Sequence, residues 1–371
     1  MRIAGGKAFD TEKGFVERDV CLNGVQISTE SSDGETFDAA GCYIIPGLTD
    51  LHFHGCKGED FSDGSPEGLT VMAEYELSRG VTQICPAGMT LPEEQLFKIC
   101  RTAAEHRRAG KPGAELVGVN LEGPFLSEAK KGAQNGAWLH APDPGLLRGL
   151  IEAADGLVKL VSVAPEIPGA LDFIRSVKDE VTVSIAHTTA DYDTAMKALE
   201  LGAREITHLF NAMPAFTHRA PGVVGAAFDS PQCRVELISD GVHIHPSVVR
   251  AVFKMFGPER VILISDSIRG AGMPDGQYTL GGQDVTVKGP LATLADGTIA
   301  GSVTDLMGCL RKAVSFGIPL ADAVRAAAVN PAEVLGIADS FGTLDVGKRA
   351  NVVVLDKDLE LKAIFFAGKR V

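Results

Sequence analysis

Short apolar runs alternate with longer stretches of helical spacing through the middle of the chain. This alternation is typical of βα units that build a parallel sheet. Eight runs occur, and a closed (β/α)8 barrel of the TIM type requires eight strands. A doubly wound open sheet would give the same alternation, but polar residues end many runs rather than one switch point, which favours the barrel. The runs are Tyr43–His54, Val81–Gly88, Leu116–Pro124, Val158–Glu166, Val181–Thr189, Arg204–Ala212, Cys233–His243 and Arg260–Ile268.

Six amphipathic stretches between the apolar runs predict helices of this α/β fold. Asp191 at the start of one stretch is a typical N-cap, and Gly202 after it is a typical helix stop. The stretches are Pro66–Arg79, Pro92–Ala109, Asp143–Ala154, Pro168–Lys178, Asp191–Leu201 and Pro246–Phe256.

The two ends of the chain carry a different pattern, with short β-like pieces separated by glycine. We predict that residues 1–46 and 343–371 together form one small β-sandwich domain, and that residues 47–342 form the barrel. The segment Gln277–Ala300 has the same short-strand pattern, so we predict β-hairpins inserted after the eighth barrel strand.

Composition and charge exclude several kinds of partner. The 371 residues carry a net charge of −13, and an acidic surface repels nucleic acid and anionic membranes. No apolar run approaches 18 residues, and the first residues lack the apolar segment of a signal peptide. Seven scattered cysteines without a C-x-x-C pair predict free thiols and a cytoplasmic location.

Ligand-type residues fall at the ends of six of the eight runs, where barrel enzymes place their active sites. In the H-x-H pair of the first run, His52 and His54 project to one face because alternate strand residues do so. Imidazole and carboxylate together suit Zn²⁺ or Fe²⁺ rather than Ca²⁺ or Mg²⁺. The residues, in chain order, are His52, His54, Glu122, His187, His208, His243 and Asp266.

These residues predict metal-dependent hydrolysis. A bound divalent ion acidifies water and polarises a carbonyl, and a carboxylate such as Asp266 can carry the proton to the leaving amine. Asp266 could instead be a ligand without a proton-transfer role. Glu122 could bridge two ions; with one ion, Glu122, His187 and His208 would hold it, and His52 and His54 would line the pocket.

The chain resembles the amidohydrolase superfamily in the segment PGLTDLHFHG, residues 46–55. It resembles more closely the N-acetylglucosamine-6-phosphate deacetylase family, and this resemblance spans nearly the whole chain. HLFNAMPAFTHRAPG, residues 208–222, is the most specific segment. The others are residues 120–135, 186–228, 238–246, 264–283 and 298–306.

The resemblance implies a role for each matching residue. Glu122, His187 and His208 match the shared metal ligands, His52 and His54 match the extra pair of two-metal members, and Asp266 matches the catalytic acid/base. The residues that match or adjoin substrate contacts are Ala133, Gln134, Asn211, the backbone of Ala212, Arg219, His243 with Asp240 nearby, and the loop Thr304, Asp305 and Leu306. Arg219 offers a planar fork for a phosphate, with His218 beside it. In such families a partner subunit often completes the pocket, so a homodimer is expected.

Gln134 is a departure from the family pattern, because some members carry histidine at this position. Glutamine can donate a hydrogen bond but supplies no positive charge for polarising an amide carbonyl. We hypothesise that His52, His54 and Gln134 belong together in a two-metal design.

The function implied is hydrolysis of N-acetylglucosamine 6-phosphate, a phosphorylated amino sugar, to glucosamine 6-phosphate and acetate. The galactosamine epimer is an alternative substrate. A cyclic-amide hydrolase or an acyl-amino-acid deacylase is a more distant alternative. Many cyclic-amide hydrolases bridge their metal ions with a lysine at the end of the fourth strand, whereas Lys159 lies at the start of the fourth run. A non-catalytic barrel scaffold would be expected to have lost some metal-ligand residues. All six expected residues are present here, namely His52, His54, Glu122, His187, His208 and Asp266.

Overall fold

The computed structural model describes residues 1–31 and 34–371 and contains eight parallel barrel strands. Each strand pairs with the next in chain order, from the first to the eighth. The ring closes where the amide of Asp266 donates to the carbonyl of His52 at 2.9 Å and that of His54 to Ser267 at 2.7 Å. The strands, some in two pieces, are Leu48–Asp50, Val81–Ile84 with Ala87–Gly88, Glu115–Leu116 with Val119–Phe125, Val158–Val163, Thr182–Ile185, Glu205–Ile206, Arg234–Ile238 and Val261–Ile264. The predicted α/β barrel is confirmed.

The first predicted run is divided between two sheets, which the hydrophobic pattern did not indicate. Tyr43–Pro46 pairs with Val352–Leu355 in a terminal sheet, whereas Leu48–Asp50 enters the barrel. Gly47 joins them, and a Cβ atom there would lie 1.9 Å from Oγ1 of Thr82. Only glycine therefore fits at this crossing point.

The six predicted helices are present, with bounds shifted by a few residues. Asp191 caps its helix by accepting from the amide of Thr194 at 2.9 Å, and Gly202 follows the last residue. The α-helices are Pro66–Ser78, Glu93–Ala109, Pro144–Ala153, Ala170–Val177, Tyr192–Leu201, Gly222–Asp229, Pro246–Phe256, Leu306–Ser315, Leu320–Val324 and Asn330–Val334, with a π-helical turn at Arg325–Val329 and 3₁₀ turns at Phe61–Asp63, Glu128–Lys130 and Gly136–Trp138.

Two sheets from the chain ends form the small β-sandwich. One contains strands from both ends, in the spatial order Lys369–Arg370, Leu361–Phe366, Val352–Leu355, Tyr43–Pro46, Lys7–Asp10 and Gly14–Glu17. The other has the order Gln26–Ser28, Val20–Asn23, Arg2–Ala4 and Thr36–Asp38. The domain boundaries at residues 46/47 and 342/343 stay a prediction.

Additional short strands lie near the ligand-bearing end of the barrel. Gly276–Leu280, Gln283–Lys288 and Leu291–Thr293 form an antiparallel sheet after the eighth strand, as predicted. Gln283 of this sheet donates a side-chain hydrogen bond to the carbonyl of Ala133 and so ties the insertion to the site. A two-stranded hairpin, Gly55–Cys56 with Glu59–Asp60, follows the first barrel strand.

Across the described part of the chain, none of the helices combines the length and apolarity that spanning a bilayer would require.

Candidate metal centre and active site

Four ligand-type residues occupy the same position relative to their strands. His52, His187, His208 and Asp266 each come two residues after the end of a barrel strand, the first, fifth, sixth and eighth respectively. Three of them have left-handed backbones, with φ of 44° at His187, 29° at His208 and 47° at Asp266. Such conformations cost ~1–3 kcal/mol per residue and are concentrated at functional sites.

The six predicted ligand residues form two groups, and within each group the ligand atoms lie within 4.8 Å of one another. We call Glu122, His187 and His208 the glutamate group, and His52, His54 and Asp266 the aspartate group. All six residues are at most 7% exposed. No other such group of metal-ligand side chains occurs within residues 1–31 and 34–371.

Glu122 connects the two groups because its two carboxylate oxygens face different histidines. Oε1 lies 2.9 Å from Nε2 of His208 and 3.1 Å from Nε2 of His187. Oε2 lies 3.3 Å from Nε2 of His54, which is itself 3.2 Å from Oδ1 of Asp266. The six side chains therefore form one continuous cluster, as the strand-end positions predicted.

The outer ring nitrogens of two histidines show which nitrogen carries the proton. Nδ1 of His54 lies 3.1 Å from the carbonyl of Ala87, and Nδ1 of His187 lies 2.9 Å from that of Lys130. Since a carbonyl only accepts, Nδ1 donates in both rings, and in a neutral ring the lone pair is then on Nε2. These lone pairs face carboxylate oxygens, an arrangement that a cation between them stabilises.

The electrostatics of the cluster also favour a cation. Burial opposes the charged form of His52, but the carboxylates of Glu236, Glu122 and Asp266 outweigh this effect and raise its pKa to about 9. Burial would raise the pKa of Glu122, yet its histidine contacts hold that pKa well below the usual range. Nitrogen and carboxylate donors in this number fit a divalent metal ion.

The side chain of Gln134 is hydrogen-bonded at both its oxygen and its nitrogen and is 1% exposed. Its Nε2 donates to Oε2 of Glu122 at 2.5 Å, and its Oε1 accepts from the amide of Thr90 at 2.7 Å. The side chain therefore orients the carboxylate that connects the two groups. The two-metal hypothesis for Gln134 stays a prediction.

A cavity of about 510 Å³ opens above the cluster. Five ligand residues line it, whereas His52 is fully buried beneath them. Five residues predicted to contact substrate also line it, namely Ala133, Gln134, Asn211, Ala212 and His243. Asp240 does not line this cavity but orients His243, since its Oδ2 lies 2.8 Å from Nδ1 of that ring.

Four other predicted substrate residues do not line the cavity. Arg219 is exposed on the loop after the sixth strand. Asp305 caps the helix Leu306–Ser315 by accepting from Gly308 at 2.7 Å, and it pairs with Arg79 at 2.8 Å. Leu306 is fully buried, and Thr304 lies on a neighbouring surface cleft. Thr298, Ile299 and Gly301, a few residues earlier, line the cavity instead.

Several site residues were not identified from the sequence. Glu236 lies within the apolar seventh strand, and a carboxylate in such a run was the available signal. Met89 and Leu280 form apolar wall, and Lys130 holds His187 through its carbonyl. Neither an apolar residue of the cavity wall nor a backbone hydrogen-bond acceptor can be recognised from a sequence pattern.

Residues 43–371 match the Amidohydrolase family. The chain therefore belongs to the amidohydrolase family, as the H-x-H segment and the barrel indicate.

Within that family, the chain is similar to named deacetylases. It is 37% identical over 354 residues to the N-acetylglucosamine-6-phosphate deacetylase of Bacillus subtilis (strain 168), covering 92% of this chain and 89% of the relative. It is 34% identical over 328 residues to the N-acetylgalactosamine-6-phosphate deacetylase of Escherichia coli O157:H7, covering 88% and 87%. The crystal structure of the N-acetyl-D-glucosamine-6-phosphate deacetylase of Mycobacterium smegmatis superposes with a TM-score of 0.91 at 33% identity, covering 100% of both chains.

Proposed function

We propose that this protein hydrolyses the N-acetyl group of N-acetylglucosamine 6-phosphate, giving glucosamine 6-phosphate and acetate. The observation that carries the proposal is the position of Asp266, at the floor of the cavity and 3.2 Å from the imidazole of His54. A carboxylate beside a cation-binding cluster is the arrangement that hydrolysis of an amide needs. The named activities of the similar proteins agree with this reaction.

The proposed cofactor is Zn²⁺ or Fe²⁺, with one or two ions per chain. The glutamate group would hold the first ion and the aspartate group the second. A divalent ion bound there would polarise the amide carbonyl and acidify a water molecule. Glu122 faces histidines of both groups, so its carboxylate could hold a single ion or be shared by two.

Asp266 is the proposed acid/base. Burial would raise its pKa, but the contacts with His54 and His52 outweigh burial and lower it below the usual value. Asp266 is therefore ionised at neutral pH and able to accept a proton from the attacking water. It would then donate that proton to the leaving amine, so that the sugar departs as a neutral amine.

The sugar phosphate is proposed to bind at Asn211, the backbone of Ala212, and His243. Arg219 is the proposed phosphate ligand, although its side chain is exposed and does not line the cavity of its own chain. A homodimer in which the loop around Arg219 reaches the neighbouring subunit's cavity would bring this cation to the substrate. The role of Thr304–Leu306 at the substrate would need a movement of the capped helix start.

The galactosamine epimer is a second candidate substrate, because a relative at 34% identity carries that name. A cyclic-amide hydrolase that bridges its metals with a lysine is disfavoured. Lys159 lies at the start of the fourth strand, and Glu122, whose oxygens face histidines of both groups, would be the residue shared by two ions instead. We also propose a cytoplasmic location, since the structure leaves all seven cysteines as free thiols.

Acetate release from both epimeric sugar 6-phosphates and from the unphosphorylated sugars tests the proposal. The 6-phosphates should be hydrolysed, with loss of activity after chelation and recovery with Zn²⁺ or Fe²⁺. Equal turnover of the unphosphorylated sugars would contradict the proposed substrate class, and activity that resists chelation would contradict the metal centre.

A further inference from the structure

Buried polar side chains continue into the barrel beneath the two ligand groups, and Glu236 is one that touches the ligands directly. Glu236 lies on the seventh strand with no exposed surface. Its Oε2 lies 2.8 Å from Nδ1 of His52 and accepts from the backbone amide of His208 at 3.0 Å. One oxygen thus contacts a member of the aspartate group and a member of the glutamate group.

We propose that Glu236 is a positioning residue for both groups: it fixes the ring of His52 and the backbone of His208. This inference rests on the proposed metal centre but not on the identity of the substrate.

The contact with His52 sets the direction of its lone pair. A backbone amide only donates, so Oε2 of Glu236 accepts the hydrogen bond from the amide of His208. The same oxygen accepts a hydrogen bond from Nδ1–H of His52. In the neutral ring that a metal ion would need, the lone pair of His52 is then on Nε2. That atom has no hydrogen-bond partner among residues 1–31 and 34–371, and it lies 3.5 Å from Glu122 and 3.7 Å from Asp266. Glu236 therefore presents a metal-ligand atom to the cluster.

His208 depends on Glu236 in a different way. His54 and His187 are oriented through Nδ1 by backbone carbonyls, whereas Nδ1 of His208 is buried and has no hydrogen-bond partner within the described ranges. The bond from its amide to Glu236 holds a left-handed backbone with φ of 29°. A conformation that costs ~1–3 kcal/mol persists only where surrounding contacts fix it.

Glu205, one strand away, offers a matched control. It is fully buried on the sixth strand. Neither carboxyl oxygen of Glu205 has a hydrogen-bond partner within the described ranges. Glu205→Gln therefore makes the same isosteric change without removing a contact to His52 or to the amide of His208, whereas Glu236→Gln changes the group that contacts both.

Competition between the metal-free protein and a chromophoric chelator for Zn²⁺ tests the proposal. Glu236→Gln should weaken Zn²⁺ binding about 10- to 100-fold, the usual effect of losing a carboxylate behind a metal-bound histidine, and Glu205→Gln should stay close to wild type. In ¹⁵N NMR spectra of the metal-free proteins, the His52 Nδ1–H signal should move in Glu236→Gln and not in Glu205→Gln.

Wild-type Zn²⁺ affinity in folded Glu236→Gln would overturn the inference, and so would equal losses in both variants. If Glu236→Gln does not fold, Glu236→Asp keeps the charge but withdraws the carboxylate, and it should show a similar loss of affinity; an unchanged affinity would again overturn the inference. A wild-type protein that binds no Zn²⁺ or Fe²⁺ would instead count against the proposed function.

Discussion

The two ligand groups are built differently although they share one cluster. The glutamate group draws its members from three strands, and its two histidines have left-handed backbones. The aspartate group takes two histidines from one H-x-H segment and adds Asp266 across the closure of the barrel. Both carboxylates line the cavity, but Glu122 lies between two imidazoles at 2.9 and 3.1 Å, whereas the imidazoles nearest Asp266 lie at 3.2 and 3.7 Å.

This difference suggests a division of roles. We expect a carboxylate between two imidazoles at 2.9 and 3.1 Å to hold a cation. Asp266 has one close imidazole contact, at 3.2 Å, and lines the cavity, so we expect it to exchange a proton with a molecule bound there. The glutamate group would then bind the ion, and the aspartate group would supply proton transfer and a second ion site.

Among these substitutions, Asp266→Asn should have the largest effect, and it should separate proton transfer from metal binding. Asparagine preserves shape but accepts no proton, so we expect kcat to fall by about 10²- to 10⁴-fold. Metal content, measured by elemental analysis, should stay largely unchanged because the glutamate group is intact. A fully active variant would refute the acid/base assignment, and loss of all metal would make Asp266 chiefly a ligand.

Asparagine substitutions of one histidine from each group should separate the ion sites. His187→Asn should abolish the tightest metal binding and nearly all activity, since it removes a ligand of the ion-holding group. His52→Asn should leave one ion per chain if the wild-type protein holds two. Elemental analysis beside acetate release checks both variants. One ion per chain in the fully active wild-type protein would argue against the two-metal design of His52, His54 and Gln134.

Arg219→Ala should affect binding and leave the cluster intact. Losing a charge-assisted contact costs ~1.5–3 kcal/mol, which corresponds to a KM increase of roughly 10- to 150-fold for the phosphorylated sugar. The melting temperature should change little because Arg219 is exposed. Phe216→Ala, an uncharged change on the same exposed loop, is the control and should leave KM close to the wild-type value. An unchanged KM would remove Arg219 from the phosphate site.

Zn²⁺ binding should release protons and strengthen as pH rises. The pKa of His52 is raised to about 9 and that of His54 is also raised, so the metal-free cluster holds extra protons near neutral pH. A metal ion needs the neutral imidazoles, so protons and Zn²⁺ compete. Calorimetry in buffers of different ionisation enthalpy should detect this release between pH 6 and 8. Affinity that is independent of pH would contradict the raised pKa values.

Much of this molecule could be read from local patterns. A strand in a barrel carries a near-continuous apolar run, and a helix carries a 3.6-residue period, so all eight strands and six helices were predictable. The cap at Asp191 was predictable because a capping side chain bonds an amide three residues away. The split of the first run at Gly47 was not, because it depends on contact with Thr82 and Asn351.

At the candidate site, too, contacts between distant segments could not be predicted from the sequence. Residue type and strand-end position pointed to the six predicted ligand residues. The partners of Glu236 and Asp305, however, lie 184 and 226 residues away, and Gln134 accepts from Thr90 across 44 residues. Gln134 orients Glu122 rather than standing free, and Asp305 caps a helix rather than facing the cavity. Such pairings have no local signature, because they depend on how distant segments pack.

The sequence by itself determined the barrel, its two-ended β-sandwich and the chemical kinds of side chain at the strand ends, since periodicity and residue type are local properties. The tertiary structure alone decided which oxygen of Glu122 faces which histidine, which ring nitrogens carry protons, and that Arg219 lies outside its own cavity. These are distances and directions between segments far apart in the chain, and they are fixed only when the ring of strands closes.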